Sequence, residues 1–145
     1  MINGERHTVI NTDAGIKGDI SAWGFWIRSE HVRVVRCGKF KTHIQNNIDK
    51  AEISAILNAL IYVCKNEYLR TADVFVVNTD SKNAVKLLTE NNIGKYPDLD
   101  EVFTKIKQTI DKPIWFKWVK GHSNGNSPRK WINNYIDRMI RKHYK

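Results

Sequence analysis

The sequence predicts an α/β domain: a mixed five-stranded sheet, an antiparallel meander extended by parallel strands, flanked by helices. Three observations carry this. Strand-like stretches rich in aromatic and β-branched residues occupy positions 7–13, 22–28 and 32–37, with turn-forming residues between them. Ile53, Ile56, Leu57, Leu60, Ile61 and Cys64 then recur at i, i+3, i+4, i+7, i+8 and i+11, the apolar face of one long helix. From there strand-like and helix-like periods alternate to the last residues, the order in which parallel strands are joined by crossover helices.

The first strand, 7–13, runs into a turn over 14–19 that holds two glycines and an aspartate. The second, 22–28, is aromatic-rich, and Gly38 closes the third. The long helix spans 49–65. Val74-Phe75-Val76-Val77 is a short apolar run, expected to be buried on both faces as a central parallel strand is. A helix over 81–89 turns Ala84, Val85 and Leu88 inward, and residues 91–97 form a loop. Asp98 opens a helix with Leu99, Val102, Phe103, Ile106 and Ile110 on one face. A strand over 114–119 leads to a polar loop, 121–127. Pro128 suits the first turn of the last helix, whose inward face is Ile132, Tyr135, Ile136, Met139 and Ile140. Trp23, Trp26, Trp115 and Trp118 are expected in the core or on sheet faces.

At 145 residues the chain fits a single domain, and 41% hydrophobic residues suffice for a core. No apolar run reaches the roughly 18 residues of a membrane span, and none of signal-peptide length follows Met1. An intracellular, cytoplasmic or otherwise non-secreted monomer is therefore expected. Cys37 and Cys64 form no C-x-x-C pair, which favours reduced core thiols over a zinc knuckle. The net charge of +9 points to a polyanionic partner. Its distribution is more informative: residues 112–145 carry nine Lys or Arg but one carboxylate, Asp137. Charge alone distinguishes neither binding from catalysis nor nucleic acid from an acidic membrane surface.

Four carboxylates stand at the ends of predicted elements: Asp13 after the first strand, Glu52 in the first turn of the long helix, Asp80 after the fourth strand and Asp137 on the last helix. Each has a local alternative. Asp49 and Glu52 could form a capping arrangement. Asp80 could cap the helix that follows it, Asp13 could organise a turn, and Asp137 could pair with Arg141. Taken together they suggest a centre. If the first and fourth strands are parallel neighbours, Asp13 and Asp80 lie side by side at their carboxyl edge, where open α/β sheets bind ligands. Carboxylates so close repel one another unless cations lie between them. Hard oxygen donors at that density suit Mg²⁺ or Mn²⁺, and two such ions form the clamp for in-line phosphodiester cleavage.

Five segments resemble the ribonuclease H type 1 family over nearly the whole chain. Asn11-Thr12-Asp13-Ala14-Gly15 is similar to its first-strand motif, and Asp49-Lys50-Ala51-Glu52 to the start of its central helix. Val77-Asn78-Thr79-Asp80-Ser81 is similar to its Thr-Asp-Ser motif, and Trp118-Val119-Lys120-Gly121-His122-Ser123 to its Val-Lys-Gly-His signature. Asn133-Asn134-Tyr135-Ile136-Asp137-Arg138 resembles the segment carrying its last metal-binding aspartate. The resemblance implies an RNase H-like fold and a single catalytic domain over 1–145. It also implies an endoribonuclease that cuts the RNA of RNA–DNA hybrids with two Mg²⁺ ions, Mn²⁺ being the alternative, leaving 5′-phosphate and 3′-hydroxyl ends. Asp13, Glu52, Asp80 and Asp137 would be the catalytic metal ligands. His122, on a glycine- and serine-containing loop, would assist proton transfer or product release.

The chain also departs from that pattern. The asparagine that often precedes the family's catalytic glutamate and touches the minor groove falls here on Asp49 or Ile48, with Asn46 and Asn47 as candidate substitutes. Ser81 and Lys82 stand where the family often has a serine and a groove-reading polar residue. The stretch between His122 and Asp137 is long, which makes Asn133 and Asn134 alternatives for the last ligand, though only Asp137 carries the charge. No basic handle separates the two middle helices, so grip on the hybrid is expected from Lys120, Trp131 and the bases around them, and activity of the isolated chain is expected to be weak. Related transposases and recombination nucleases, or a binding module without cleavage, are the other readings. The Lys-Gly-His-Ser signature speaks against the first and the full carboxylate set against the second.

Overall fold

The computed structural model describes residues 4–42, 44, 47–120 and 128–142. In chain order the elements are β1 (His7–Lys17), β2 (Ile20–Arg28), β3 (Arg33–Lys39), α1 (Ile48–Lys65), the single-turn α2 (Glu67–Arg70), β4 (Val74–Thr79), α3 (Lys82–Thr89), α4 (Pro97–Thr109), β5 (Ile114–Trp118) and α5 (Pro128–Lys142). The sheet order is β3-β2-β1-β4-β5. β1–β2 and β2–β3 are antiparallel, whereas β1–β4 and β4–β5 are parallel. This is the mixed sheet expected from the sequence.

The first hairpin is tighter than expected. Ala14 to Lys17 keep pairing with β2, down to Lys17 opposite Ile20, so only Gly18 and Asp19 turn. Gly18 has φ +62°, the conformation a two-residue II′ turn demands of its first central residue. Gly38 likewise does not end β3. It lies within the strand, opposite Trp23.

Helices cover both faces. Ile10, Phe25, Ile27, Phe75 and Val77 of the sheet are buried with Ile53, Ile56, Leu60 and Val63 of α1, and Phe103 and Ile106 of α4 join that core. On the other face Ile132, Ile136 and Ile140 of α5 are buried with Ala22 of β2. All four residues of the Val74–Val77 run are buried, as a strand covered on both sides requires.

The seat of α5 depends on two glycines. A Cβ on Gly15 would come within 2.7 Å of Ile140 Cδ1, and one on Gly24 within 2.6 Å of Ile136 Cδ1. The three isoleucines, spaced i, i+4 and i+8, form a single narrow row that fits this smooth strip. Tyr135 was expected on the inward face but is 42% exposed. It stands one residue, about 100° of helix, off the row. Of the two expected sites, Trp115 and Trp118 take sheet faces and not the core, and are exposed there because β5 is an edge strand and α5 packs on β1, β2 and β3. Trp23 and Trp26 are half-buried.

Both cysteines are free and half-buried. Burial pushes the Cys37 thiol from 9.0 up to about 11 and raises that of Cys64. The folded chain thus holds the Cys37 proton where the unfolded chain releases it. Stability contributed by the neutral thiol is complete below pH 9.0 and drains away as pH climbs towards about 11. The urea midpoint of the protein, taken relative to Cys37→Ala, should therefore decline across that interval. A difference that stays constant would contradict this.

No helix among the described residues is long and apolar enough to cross a membrane.

Candidate active site

The site forms where β4 stops and β1 continues. The parallel register pairs Asn11 with Asn78, and the Asn78 amide donates to Asn11 Oδ1 at 3.2 Å. Two residues further along the chain from each stand Asp13 and Asp80. β4 ends at Thr79, but β1 persists because β2 still pairs with it, Gly24 opposite Asp13. Asp13 is therefore inside its strand, not at its end as the sequence suggested. The open edge comes from the early end of β4.

Glu52 reaches this edge from α1. Its side chain is buried, at 4% exposure. Its Oε1 accepts the Ala14 N–H at 3.3 Å, and its Oε2 accepts the Thr79 hydroxyl at 3.4 Å. Ala14 N–H also reaches Asp13 Oδ1 at 3.0 Å, so one amide is shared by two carboxylates. Asp13, Glu52 and Asp80 each present an oxygen, and the three atoms lie within 4.8 Å of one another.

The alternative local roles fall to neighbours. α1 is capped by Asn47, whose Oδ1 accepts the Lys50 N–H at 3.0 Å. α3 is capped by Ser81, whose hydroxyl accepts the Ala84 N–H at 3.1 Å. Asp49 accepts the Asn83 amide at 3.1 Å, across the gap between the two helices. Neither Glu52 nor Asp80 is thus required as a cap. Three carboxylate groups so close repel one another unless a cation lies between them. An all-oxygen donor set with room beside it fits a hard divalent ion.

That room is an open cleft of about 740 Å³, lined by Asp13, Glu52, Asp80 and, from α5, Asn133 and Asp137. Asp137 is exposed and stands outside the 4.8 Å grouping. Asn133 and Asp137, i and i+4 on α5, both face the cleft, whereas Asn134 is not among the residues lining it.

The RNase H family model matches residues 5–145. The chain belongs to the RNase H family. It matches no curated protein. Solved structures share its fold. RNase H1 of the halophilic archaeon Halobacterium salinarum NRC-1 is 15% identical, with a TM-score of 0.68 over 94% of this chain and 98% of that one. LC11-RNase H1, solved in complex with an RNA/DNA hybrid, is 20% identical, with a TM-score of 0.68 over 92% and 99%. The N-terminal RNase H domain of a Mycobacterium tuberculosis protein is 17% identical, with a TM-score of 0.62 over 95% and 99%.

In this RNase H, a ribonuclease by family, the remaining predicted residues are distributed unevenly. Ser81 and Lys82 line the cleft. Asn47 borders a neighbouring groove and exchanges hydrogen bonds with the Tyr96 hydroxyl at 3.3 and 3.4 Å. Lys120 is exposed beyond β5. Trp131 is 46% exposed and packs on Tyr135 with ring centroids 5.2 Å apart, away from the cleft lining. Asn46 and His122 lie outside the described residues.

Sequence reasoning missed one participant in this RNase H. The Trp118 indole N–H donates to the Asp80 carbonyl oxygen at 3.1 Å. The signal was available in principle, since Trp118 adjoins the Val-Lys-Gly-His segment. Linking it to Asp80 requires the sheet order, which places Trp118 opposite Thr79.

Proposed function

We propose that this chain hydrolyses the RNA strand of RNA–DNA hybrids by a two-metal-ion mechanism, with Asp13, Glu52, Asp80 and Asp137 holding Mg²⁺ or Mn²⁺. The observation that carries the reading is the convergence of three carboxylates within 4.8 Å at the open strand edge of an RNase H fold. When bound, such ions activate the attacking water and steady charge on the leaving 3′ oxygen, which yields 5′-phosphate and 3′-hydroxyl ends.

The protein's own part is positioning. Ala14 N–H and the Thr79 hydroxyl fix the Glu52 carboxylate, and Asp13 from β1 and Asp137 from α5 line the same cleft. His122, which follows β5 in the sequence, would take up or deliver a proton as product leaves. Ser81, Lys82 and Lys120 would meet the sugar-phosphate backbone, with Asn46, Asn47 and Trp131 as further contacts. The hybrid would be recognised by shape and by its 2′-hydroxyls, with little preference for sequence. The similarity to a protein solved with an RNA/DNA hybrid supports that substrate. The protein is expected to act inside the cell as a monomer.

A gel assay with labelled hybrid, single-stranded RNA, duplex RNA and duplex DNA, in Mg²⁺ or Mn²⁺, tests this. Metal-dependent cutting confined to the RNA of the hybrid is expected. Tight hybrid binding without cutting in either metal would favour a binding module.

A further inference from the structure

Lys82 lines the acidic cleft from the first turn of α3, and its ammonium stands 4.4 Å from the centroid of the Trp118 ring. Trp118 ends β5 and is 42% exposed. Its indole N–H is tied to the carbonyl of Asp80, and the next residue, Val119, donates its N–H to Thr79 O at 2.8 Å. One exposed aromatic is therefore anchored to the backbone of the carboxylate centre while its face carries a cation of the cleft wall.

A lysine beside a carboxylate cluster has two attractive places to go. It can fold onto the carboxylates, where its charge competes with a divalent ion, or it can stay at the rim, where a phosphate would meet it. An indole face attracts an ammonium by its quadrupole and narrows the choice. We propose that Trp118 is a positioning residue: it holds the Lys82 ammonium at the rim of the cleft, available to a nucleic-acid phosphate and away from the Asp13–Glu52–Asp80 cluster. The phosphate half of this assignment rests on the hybrid reading, and the cluster half on the carboxylate geometry alone.

The test measures binding, so it does not depend on cleavage. Mn²⁺ affinity is read by titration calorimetry, and hybrid affinity by fluorescence anisotropy in Ca²⁺ over a range of salt. Trp118→Leu should weaken Mn²⁺ binding roughly fivefold, because the released ammonium reaches the carboxylates. Adding Lys82→Gln to Trp118→Leu should restore the affinity. Trp118→Phe keeps a ring face while removing the indole N–H, and should stay near the wild type. Lys82→Gln and Trp118→Leu should each lower the salt slope of hybrid binding by about one, and the double variant by no more than either. If Trp118→Leu weakens Mn²⁺ binding equally with and without Lys82, the tryptophan is merely structural and the proposal is wrong. Unchanged Mn²⁺ affinity in Trp118→Leu would overturn it as well. Failure of the hybrid reading would appear separately, as wild-type protein that neither cuts nor prefers the hybrid.

Discussion

Asp80→Asn should reduce hybrid cleavage by about a thousandfold or more while leaving hybrid affinity within about twofold. The size follows from the chemistry. A divalent ion contributes several kcal/mol to transition-state charge, and each ~1.4 kcal/mol is a factor of ten in rate. The selectivity follows from the geometry. Asp80 does not cap α3, a task performed by Ser81, and its backbone carbonyl keeps the Trp118 N–H whatever the side chain. Asparagine preserves the shape and removes the charge that a cation requires. Single-turnover cleavage in Mg²⁺ and anisotropy in Ca²⁺ separate the two effects. A variant that cuts at the wild-type rate would show that the carboxylate cluster is not the catalytic centre.

Gly24→Val should loosen α5 from the sheet, destabilising the protein by about 3 kcal/mol and lowering its thermal midpoint by roughly 10 °C. A single Cβ at this position already meets Ile136 Cδ1 at 2.6 Å, Ile136 Cγ1 at 2.8 Å and Cys37 Sγ at 3.0 Å. Two further methyls cannot fit without moving the helix. Asn133 and Asp137 ride on that helix into the cleft, so activity should fall below what the remaining folded fraction explains. Ile136→Ala removes the two nearest obstructing atoms. On its own it costs stability, but in combination with Gly24→Val it should give a protein more stable than the sum of the two losses. Additive losses in thermal melts would mean that this contact does not determine the seat of α5.

Much of the candidate site was legible because its proposed chemistry lies in short segments. Thr79-Asp80-Ser81, Lys120-Gly121-His122-Ser123 and the carboxylate of Asp137 can be recognised without coordinates, and the five segments occur in family order. The helix over 49–65 was legible because a 3.6-residue apolar period matches one helix face and conflicts with the two-residue alternation of a strand. The ends of elements were less so. Residues 14–17 carry turn composition, yet β2 holds them in the sheet, a cross-strand effect that no local window contains. Asp49 and Glu52 resembled a cap until Asn47, a residue upstream of the apolar pattern, took that role.

The sequence by itself determined the family, the α/β class, the buried strand at 74–77 and which carboxylates are candidates for the site. These depend on residue type and short-range spacing. Only the tertiary structure decided that Asp13 lies within a strand beside the early end of β4, that Tyr135 faces solvent and that Trp118 lies under Lys82. Each of these depends on which strands are neighbours and where one helix can approach a glycine-lined sheet, and such distances arise only when residues remote in the chain are packed together.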